Sequence, residues 1–458
     1  MANRTKVEGV ELGRTYSVCP VCLERLEARK IAYGESICLE KECSEHGPFK
    51  TLIWDGPPAY ADWARECAPA RPDACASPVD RGCPFDCGLC ADHLQKSCCT
   101  LIEVTQRCDL GCPFCFASAG EDPKDDPSLG TVRGWLQTLL DSGGPYNLPI
   151  SGGEPTVRDD LCSIISMAGE MGFVFTQLNT NGLRIAREDG YAKKLRQAGL
   201  DCVYLQFDAV RDEPYEVLRG RPLWREKQEA VLRCAEAGLG VVLVPTVVPG
   251  VNDGEVGGLL RYAFDHLPAV RGVHFQPVSY FGRYPGMPDA PRHMTLPALL
   301  RAIESQTDGE LRAEHFHPSG AQNAYCGFNA SFLLLESGEI RPMGAGGGCD
   351  CSAEAARKVR GYVARRWSPP KAVADCQCAC GGVDTGALDA FLRRVQTHSL
   401  AVSCMMFQDA WNLETDRLRQ CRLHVVAPDG RLVPFCAYNL TATNGRTLYR
   451  PQEGRGDD

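Results

Sequence analysis

Cys108, Cys112 and Cys115 form a Cys-x3-Cys-x2-Cys run, and no other residues in the chain promise more specific chemistry. Thiolates are the protein ligands of iron–sulfur cubes, and three spaced this closely can wrap one side of a cube. No fourth cysteine lies close by, so one iron stays open to a ligand from outside the chain. The competing chemistry is a structural zinc knuckle, which usually needs a fourth ligand at paired spacing. The residues before the run, Leu101-Ile102-Glu103-Val104-Thr105-Gln106-Arg107, read as a short strand that ends at Cys108 and opens into a tight loop carrying the three thiols.

Positioning such a loop takes a regular frame, and the sequence supplies one. From Leu101 to about Phe281, apolar strands alternate with amphipathic helices, the signature of parallel β/α units. The later strands are Asn147–Ser151, Val174–Thr180, Cys202–Asp208, Gly240–Val248 and Gly272–Val278, with helices at Val132–Leu140, Asp160–Met171, Gly190–Gln197 and Arg225–Ala237 between them. Six units make a partial barrel, open on one side, with chemistry at the C-terminal ends of its strands. The second strand ends in Gly152-Gly153-Glu154, where glycines let backbone approach a ligand and the carboxylate can take an ammonium group. The third ends at Asn179 and Asn181, polar groups suited to hydroxyls or a carboxylate, although Asn181-Gly182 also suits an ordinary turn. Gln206 and Asp208 share one face of the fourth strand, either as ligand contacts or as a satisfied buried pair. Val248 closes the fifth strand. Tyr280–Pro291 reads as a loop over the barrel mouth, and Tyr280, Phe281, Tyr284 and Met287 are candidates to line an apolar cavity there.

The chain holds 26 cysteines in 458 residues and a net charge of −9. That is far too long for a disulfide scaffold, and there is no basic run for nucleic acid. No apolar signal core or run of about 18 apolar residues occurs, so a cytoplasmic, reducing setting is expected, and membrane association would be peripheral. Cys19, Cys22, Cys43 and His46 have the spacing of a tetrahedral Zn or Fe site around a β-hairpin at Gly34, with Cys38 as the weaker rival to His46. Residues 1–56 thus form a rubredoxin-like metal module, too small to fold without its ion. Within 57–100, Cys83, Cys87 and Cys90 repeat the triplet spacing without a preceding strand, and Cys98 or Cys99 could supply a fourth ligand to an auxiliary [4Fe–4S] cluster; zinc is the alternative. The barrel occupies 101–291. In 292–443, a helix Met294–Gln306, a strand Ala330–Leu335 and a hairpin at Pro428-Asp429-Gly430 accompany Cys326, Cys404, Cys421 and Cys436, a loose second auxiliary set in which Cys404 also reads as a buried thiol. Cys349, Cys351, Cys376, Cys378 and Cys380 have no assigned role, Cys162, Cys202 and Cys234 read as core, and 444–458 reads as a disordered tail.

Cys108-x3-Cys112-x-Phe114-Cys115, followed one β/α unit later by Gly152-Gly153-Glu154, resembles the radical S-adenosylmethionine (SAM) superfamily. A narrower likeness rests on Cys19-Pro-Val-Cys22, Cys43-x2-His46-Gly-Pro-Phe, Arg81-Gly-Cys83-Pro-x2-Cys87-Gly-Leu-Cys90-x2-His93 and His424-Val-Val-x-Pro428-Asp-Gly430-x3-Pro434-Phe-Cys436. These motifs resemble the tetraether lipid synthase-like group, also known as pterin methyltransferase-like, over most of residues 15–440; the segment 345–382 departs from its pattern. The resemblance implies a partial (β/α)6 radical SAM barrel with a rubredoxin-like module and a Cys-rich auxiliary-cluster region. It implies three [4Fe–4S] clusters, one of them SAM-binding, and one mononuclear Fe or Zn. Phe114 would back the adenine, Glu154 would take the SAM amino group, and Gly152, Gly153, Asn179, Asn181, Gln206, Asp208 and Val248 would complete the SAM or substrate surface. The implied reaction is hydrogen abstraction from an unactivated carbon by a 5′-deoxyadenosyl radical, with C–C bond formation on a lipid alkyl chain. A ferredoxin or flavodoxin would supply the electron. Radical methylation of a small heterocycle or peptide is the alternative, and a non-catalytic iron–sulfur carrier is the alternative of another class.

Overall fold

The computed structural model describes residues 8–65, 68–72, 75–120, 125–286, 291–318, 322–344, 355–369 and 386–450. Met287, Cys67, Cys349, Cys351, Cys376, Cys378 and Cys380 lie outside the described residues.

Four antiparallel strands open the chain: β1 (Val10–Val18), β2 (Arg25–Tyr33), β3 (Ser36–Cys43) and β4 (Gly47–Asp55), in that order in one sheet. The β2–β3 turn falls at Gly34, whose φ of 66° only glycine takes without strain. A second, large sheet begins with β5 (Cys99–Glu103), β6 (Leu148–Ser151), β7 (Thr176–Thr180), β8 (Cys202–Gln206), β9 (Gly240–Val244), the short β10 (Thr246–Val247) and β11 (Val270–Pro277). It continues with β12 (His317–Pro318), β13 (Gly327–Leu334), β14 (Ile340–Met343), β15 (Ser399–Met405), β16 (Leu423–Val426) and β17 (Leu432–Pro434). Its main path is β12-β13-β15-β11-β9-β8-β7-β6-β5-β16-β17.

The six expected barrel strands are present and each pairs in parallel with the next. They are largely buried on both faces, as parallel strands covered by helices must be; most are apolar, whereas β7 buries Thr176, Gln177 and Thr180. The helices that cover them include Leu129–Asp141, capped by Ser128, and Leu161–Glu170, Trp224–Glu236 and Val256–Asp265.

Three expectations need correction. The first strand ends at Glu103 rather than Cys108, because Thr105–Arg107 turns away to bond the loop after β6. The parallel pattern does not stop at residue 291: β15 pairs in parallel with β11, and β16 in parallel with β5. The C-terminal region therefore extends the barrel sheet at both of its edges. Nor is the chain after 444 loose throughout, for Arg450 is 6% exposed and bonds Glu103 at 2.7 Å and 2.9 Å.

Candidate active site

The loops that follow β5, β6, β7, β8, β9, β11 and β15 all leave the C-terminal ends of parallel strands. The cysteine loop lies among them, and its surroundings fasten it. Cys108 N–H donates to Gly120 O at 3.0 Å, and Cys115 exchanges backbone hydrogen bonds with Arg283 at 2.8 Å and 2.9 Å. The Arg283 guanidinium donates to Cys112 O and Ala119 O, and Arg219 donates to Phe114 O. Burial pushes the Cys108 thiol up to about 12 and raises Cys112 as well. Thiols so desolvated would stay protonated alone; a cationic iron cluster offsets that cost by binding the thiolates. The donor set and its spacing thus fit a [4Fe–4S] cluster held by Cys108, Cys112 and Cys115.

Glu154 is 1% exposed, and its carboxylate accepts hydrogen bonds from Thr156 N, Thr156 Oγ1 and Thr180 Oγ1 on Oε1. Oε2 accepts Asn181 N–H at 2.6 Å and keeps a lone pair for an ammonium group. Gly152 and Gly153 serve a purpose other than the expected ligand approach. A Cβ on Gly152 would lie 2.2 Å from Thr105 O, and one on Gly153 2.3 Å from Arg107 O. These glycines let the β6 loop dock on the backbone leading to Cys108, where Gly153 N–H and Glu154 N–H donate to Thr105 O and Arg107 O. Asn181 ties a third loop to the first through Asp109, 2.7 Å away. Asn179 accepts from Gln177 Nε2.

Gln206 and Asp208 turn out to be partners of each other. Gln206 Nε2 donates to Asp208 Oδ2 at 2.8 Å, Arg219 grips both Asp208 oxygens at 2.8 Å, and Thr246 N–H adds a fourth bond. Asp208 is 0% exposed, so the expectation that it touches SAM or substrate is corrected: every lone pair of its carboxylate is taken. Lys227 donates to Asn181 O and Gln206 Oε1, and burial lowers its ammonium to about 8. Phe114 and Val248 do come together, in an apolar group with Leu218, Val251 and Val278.

The other cysteine sets divide unevenly. Cys19, Cys22, Cys43 and His46 place their ligand atoms within 4.8 Å of one another, the geometry of a single ion. Burial pushes Cys19 up to about 11, while a hydrogen bond with His46 brings Cys43 down to about 6. Cys38 is a buried strand residue paired with Leu52 and Ile31. Cys83 and Cys87 share a hydrogen bond that lowers the first thiol and raises the second, and Cys90 feels the charge of Cys83. The Tyr449 hydroxyl accepts Cys87 N–H and donates to Pro84 O, both at 2.8 Å. Burial raises the Cys98 and Cys99 thiols. Arg417 Nη2 donates to Cys326 Sγ at 3.5 Å, and burial raises the Cys421 thiol and pushes Cys436 up to about 12. Cys404 is 2% exposed in the main core, its thiol raised by burial alone. Its partner across the sheet is Phe328, two residues after Cys326.

Sequence reasoning missed Arg219, Arg283, Tyr449 and the buried Glu103–Arg450 pair. Glu103 carried a signal, a carboxylate in an otherwise apolar buried strand. The arginines carried none, since each reaches its partner across more than ten residues.

The sequence profile of the Radical SAM superfamily matches residues 102–263, and that of the HMPTM N-terminal zinc ribbon domain matches residues 11–55. The chain is 34% identical, over 93% of its own length and 93% of the relative's, to the 7,8-dihydro-6-hydroxymethylpterin dimethyltransferase of Methanocaldococcus jannaschii. It is 32% identical to a probable GTP 3′,8-cyclase of Methanopyrus kandleri, covering 43% of this chain and 62% of that one. Among solved structures, Streptococcus suis SuiB bound to the precursor peptide SuiA matches at a TM-score of 0.39 and 19% identity, over 47% of each chain. This chain binds a [4Fe–4S] cluster and SAM, and it belongs to the radical SAM superfamily, in the group of the 7,8-dihydro-6-hydroxymethylpterin dimethyltransferase.

Proposed function

We propose that this radical SAM enzyme abstracts hydrogen from an unactivated carbon of a lipid alkyl chain and forms a C–C bond there. When bound and reduced, the cluster and SAM supply the 5′-deoxyadenosyl radical that takes the hydrogen atom. What the chain's own residues contribute is position and dryness. The observation that carries the reading is the character of the walls beside the cysteine loop. Phe116, next to Cys115, has its ring 5.7 Å from Phe435, which in turn lies 4.4 Å from Phe407 and 6.4 Å from Phe281. Phe114, Val248, Val251 and Val278 form a second apolar group. Of the nearby cations, Arg219 and Arg450 are neutralised by Asp208 and Glu103, and Lys227 is engaged by Asn181 O and Gln206 Oε1. An alkyl chain gains about 0.8 kcal/mol per CH₂ buried against such surfaces.

The expected lid residues take separate parts. Phe281 packs on Phe435, whereas Tyr280 and Tyr284 stack edge to face beside His293. A ferredoxin or flavodoxin is the reductant we assign. The test is anaerobic turnover with SAM, reductant and a saturated long-chain lipid, read by 5′-deoxyadenosine and by product mass; coupling of 5′-deoxyadenosine to a lipid product supports the reading. A second reading, radical methylation of a pterin-like heterocycle, draws on the activity named for the M. jannaschii relative. 5′-Deoxyadenosine formed with a reduced pterin and not with lipid would establish that reading instead.

A further inference from the structure

Two helices of the C-terminal region carry charge against the trend of the chain. The helix Ala355–Trp367 holds Arg357, Lys358, Arg360, Arg365 and Arg366 and no carboxylate. The helix Gly386–Thr397 adds Arg393 and Arg394 against the single Asp389. The chain as a whole has a net charge of −9. Three of these arginines bond neutral groups: Arg360 donates to Pro145 O, Arg366 to Met343 Sδ and Arg394 to Leu334 O, with Glu336 no nearer to Arg394 than 3.8 Å. Arg365 and Arg393 are exposed and meet no carboxylate among the described residues.

The second helix also turns apolar side chains away from any core. Leu388, Phe391 and Leu392 stand at i, i+3 and i+4, one stripe of the helix, and are 57%, 50% and 48% exposed. An apolar stripe edged by cations marks a surface that meets something.

Arg271 fixes where this face lies. Its buried guanidinium donates to Arg366 O at 3.3 Å, Gln396 O at 3.0 Å and Thr397 O at 3.2 Å. The C-terminal ends of both helices therefore meet at the start of β11, whereas the cysteine loop lies at the far ends of the parallel strands. A reductant docked here would be separated from that loop by the length of the strands. A second copy of the chain would set one cationic face against another. Nucleic acid would use the arginines and leave the apolar stripe in water. An anionic bilayer uses both, phosphates for the guanidinium groups and the acyl boundary for Leu and Phe.

We propose that Ala355–Trp367 and Gly386–Thr397 form a peripheral docking face for an anionic lipid surface, with Leu388, Phe391 and Leu392 entering the boundary between headgroups and acyl chains. Among the described residues no helix is long and apolar enough to cross a membrane, so the contact is one of surface with surface. The face leaves the barrel mouth uncovered, and it holds whichever substrate the barrel takes.

The test uses the full chain with its clusters and metal reconstituted, sedimented with vesicles of phosphatidylcholine alone or mixed with phosphatidylglycerol. Binding to the mixed vesicles should be about tenfold or more tighter than to the neutral ones, and should fall as salt is raised. Arg365→Gln and Arg393→Gln should each weaken it about fivefold. Phe391→Gln combined with Leu392→Gln should weaken it about tenfold or more, with the melting temperature and SAM cleavage unchanged, since both side chains are exposed and far from the cysteine loop. Equal binding to neutral and anionic vesicles, or binding that survives both kinds of variant, would overturn the proposal. So would an oligonucleotide that binds through Arg365 and Arg393 and is indifferent to Phe391→Gln, which would assign the face to nucleic acid. Self-association abolished by Phe391→Gln, without vesicle binding, would overturn it in favour of an interface between copies.

Discussion

Asp208 shows how residues around the cysteine loop divide between meeting a ligand and meeting each other. It sits at the mouth with the composition of a binding residue, yet Arg219, Gln206 and Thr246 fill its carboxylate. Breaking a buried, hydrogen-bonded ion pair by removing one partner costs about 3–5 kcal/mol. Asp208→Ala should therefore lower the unfolding free energy by about that amount. It should also weaken SAM binding, because Arg219 would lose the partner that aims it at Phe114 O. If denaturation shows no loss while SAM binding disappears, Asp208 is a direct contact after all. At the same scale, Cys115→Ala should abolish 5′-deoxyadenosine formation and leave the iron of other sites in place, because it removes one of the three thiolates that would hold the SAM-binding cluster. Cys87→Ala should lower total iron without stopping cleavage. The opposite pattern would move the SAM-binding role to the Cys83 triplet.

At the scale of elements, the site is a stack of loops whose backbones touch. The β6 loop reaches the cysteine loop only because Gly152 and Gly153 carry no side chain, and Gly152 has a φ of 140° besides. Gly153→Ala would force its Cβ to within 2.3 Å of Arg107 O, so either loop must shift. We expect a loss of SAM affinity of tenfold or more and a change in the cluster's electron paramagnetic resonance signal, with the melting temperature much less affected. An unchanged signal would mean that the cysteine loop does not depend on this contact.

These elements were legible where their cause is local. Buried parallel strands announce themselves as apolar runs, as at Leu148–Ser151 and Cys202–Gln206, and the mostly polar Thr176–Thr180 falls within the expected Val174–Thr180. The Cys108, Cys112 and Cys115 run was legible from spacing, and Glu154 only from the Gly-Gly-Glu motif of the superfamily the chain resembles. What could not be read is pairing between distant residues. Nothing in Ser399–Met405 says that it will lie beside Val270–Pro277 in parallel, and nothing in Tyr449 or Arg450 says that they will cross the chain to Cys87 and Glu103. Those outcomes are decided by which surface remains uncovered after the barrel has formed.

For the whole molecule, the question is what the metal module does so far from the cysteine loop in sequence. Its sheet grips one stretch of chain: Lys41 donates to Ala410 O at 2.7 Å, Thr51 to Trp411 O at 3.1 Å, Lys30 pairs with Glu414 at 3.1 Å and Thr15 donates to Asp416 at 2.9 Å. That stretch contains Asp409, which holds Tyr280 and His293 at the mouth, and Arg417, which meets Cys326. A module of some 46 residues with four converging ligands depends on its ion for folding. Removing the ion should thus loosen more than the module. We expect Cys22→Ser, or chelation of the mononuclear metal, to speed amide hydrogen exchange across 10–55, across 409–417 and in the described part of the 280–293 loop. Exchange in β7 and β8, interior strands of the large sheet, should stay as slow as before. Faster exchange confined to 10–55 would show that the module is a separate appendage, and that the mouth of the barrel is held by the C-terminal strands alone.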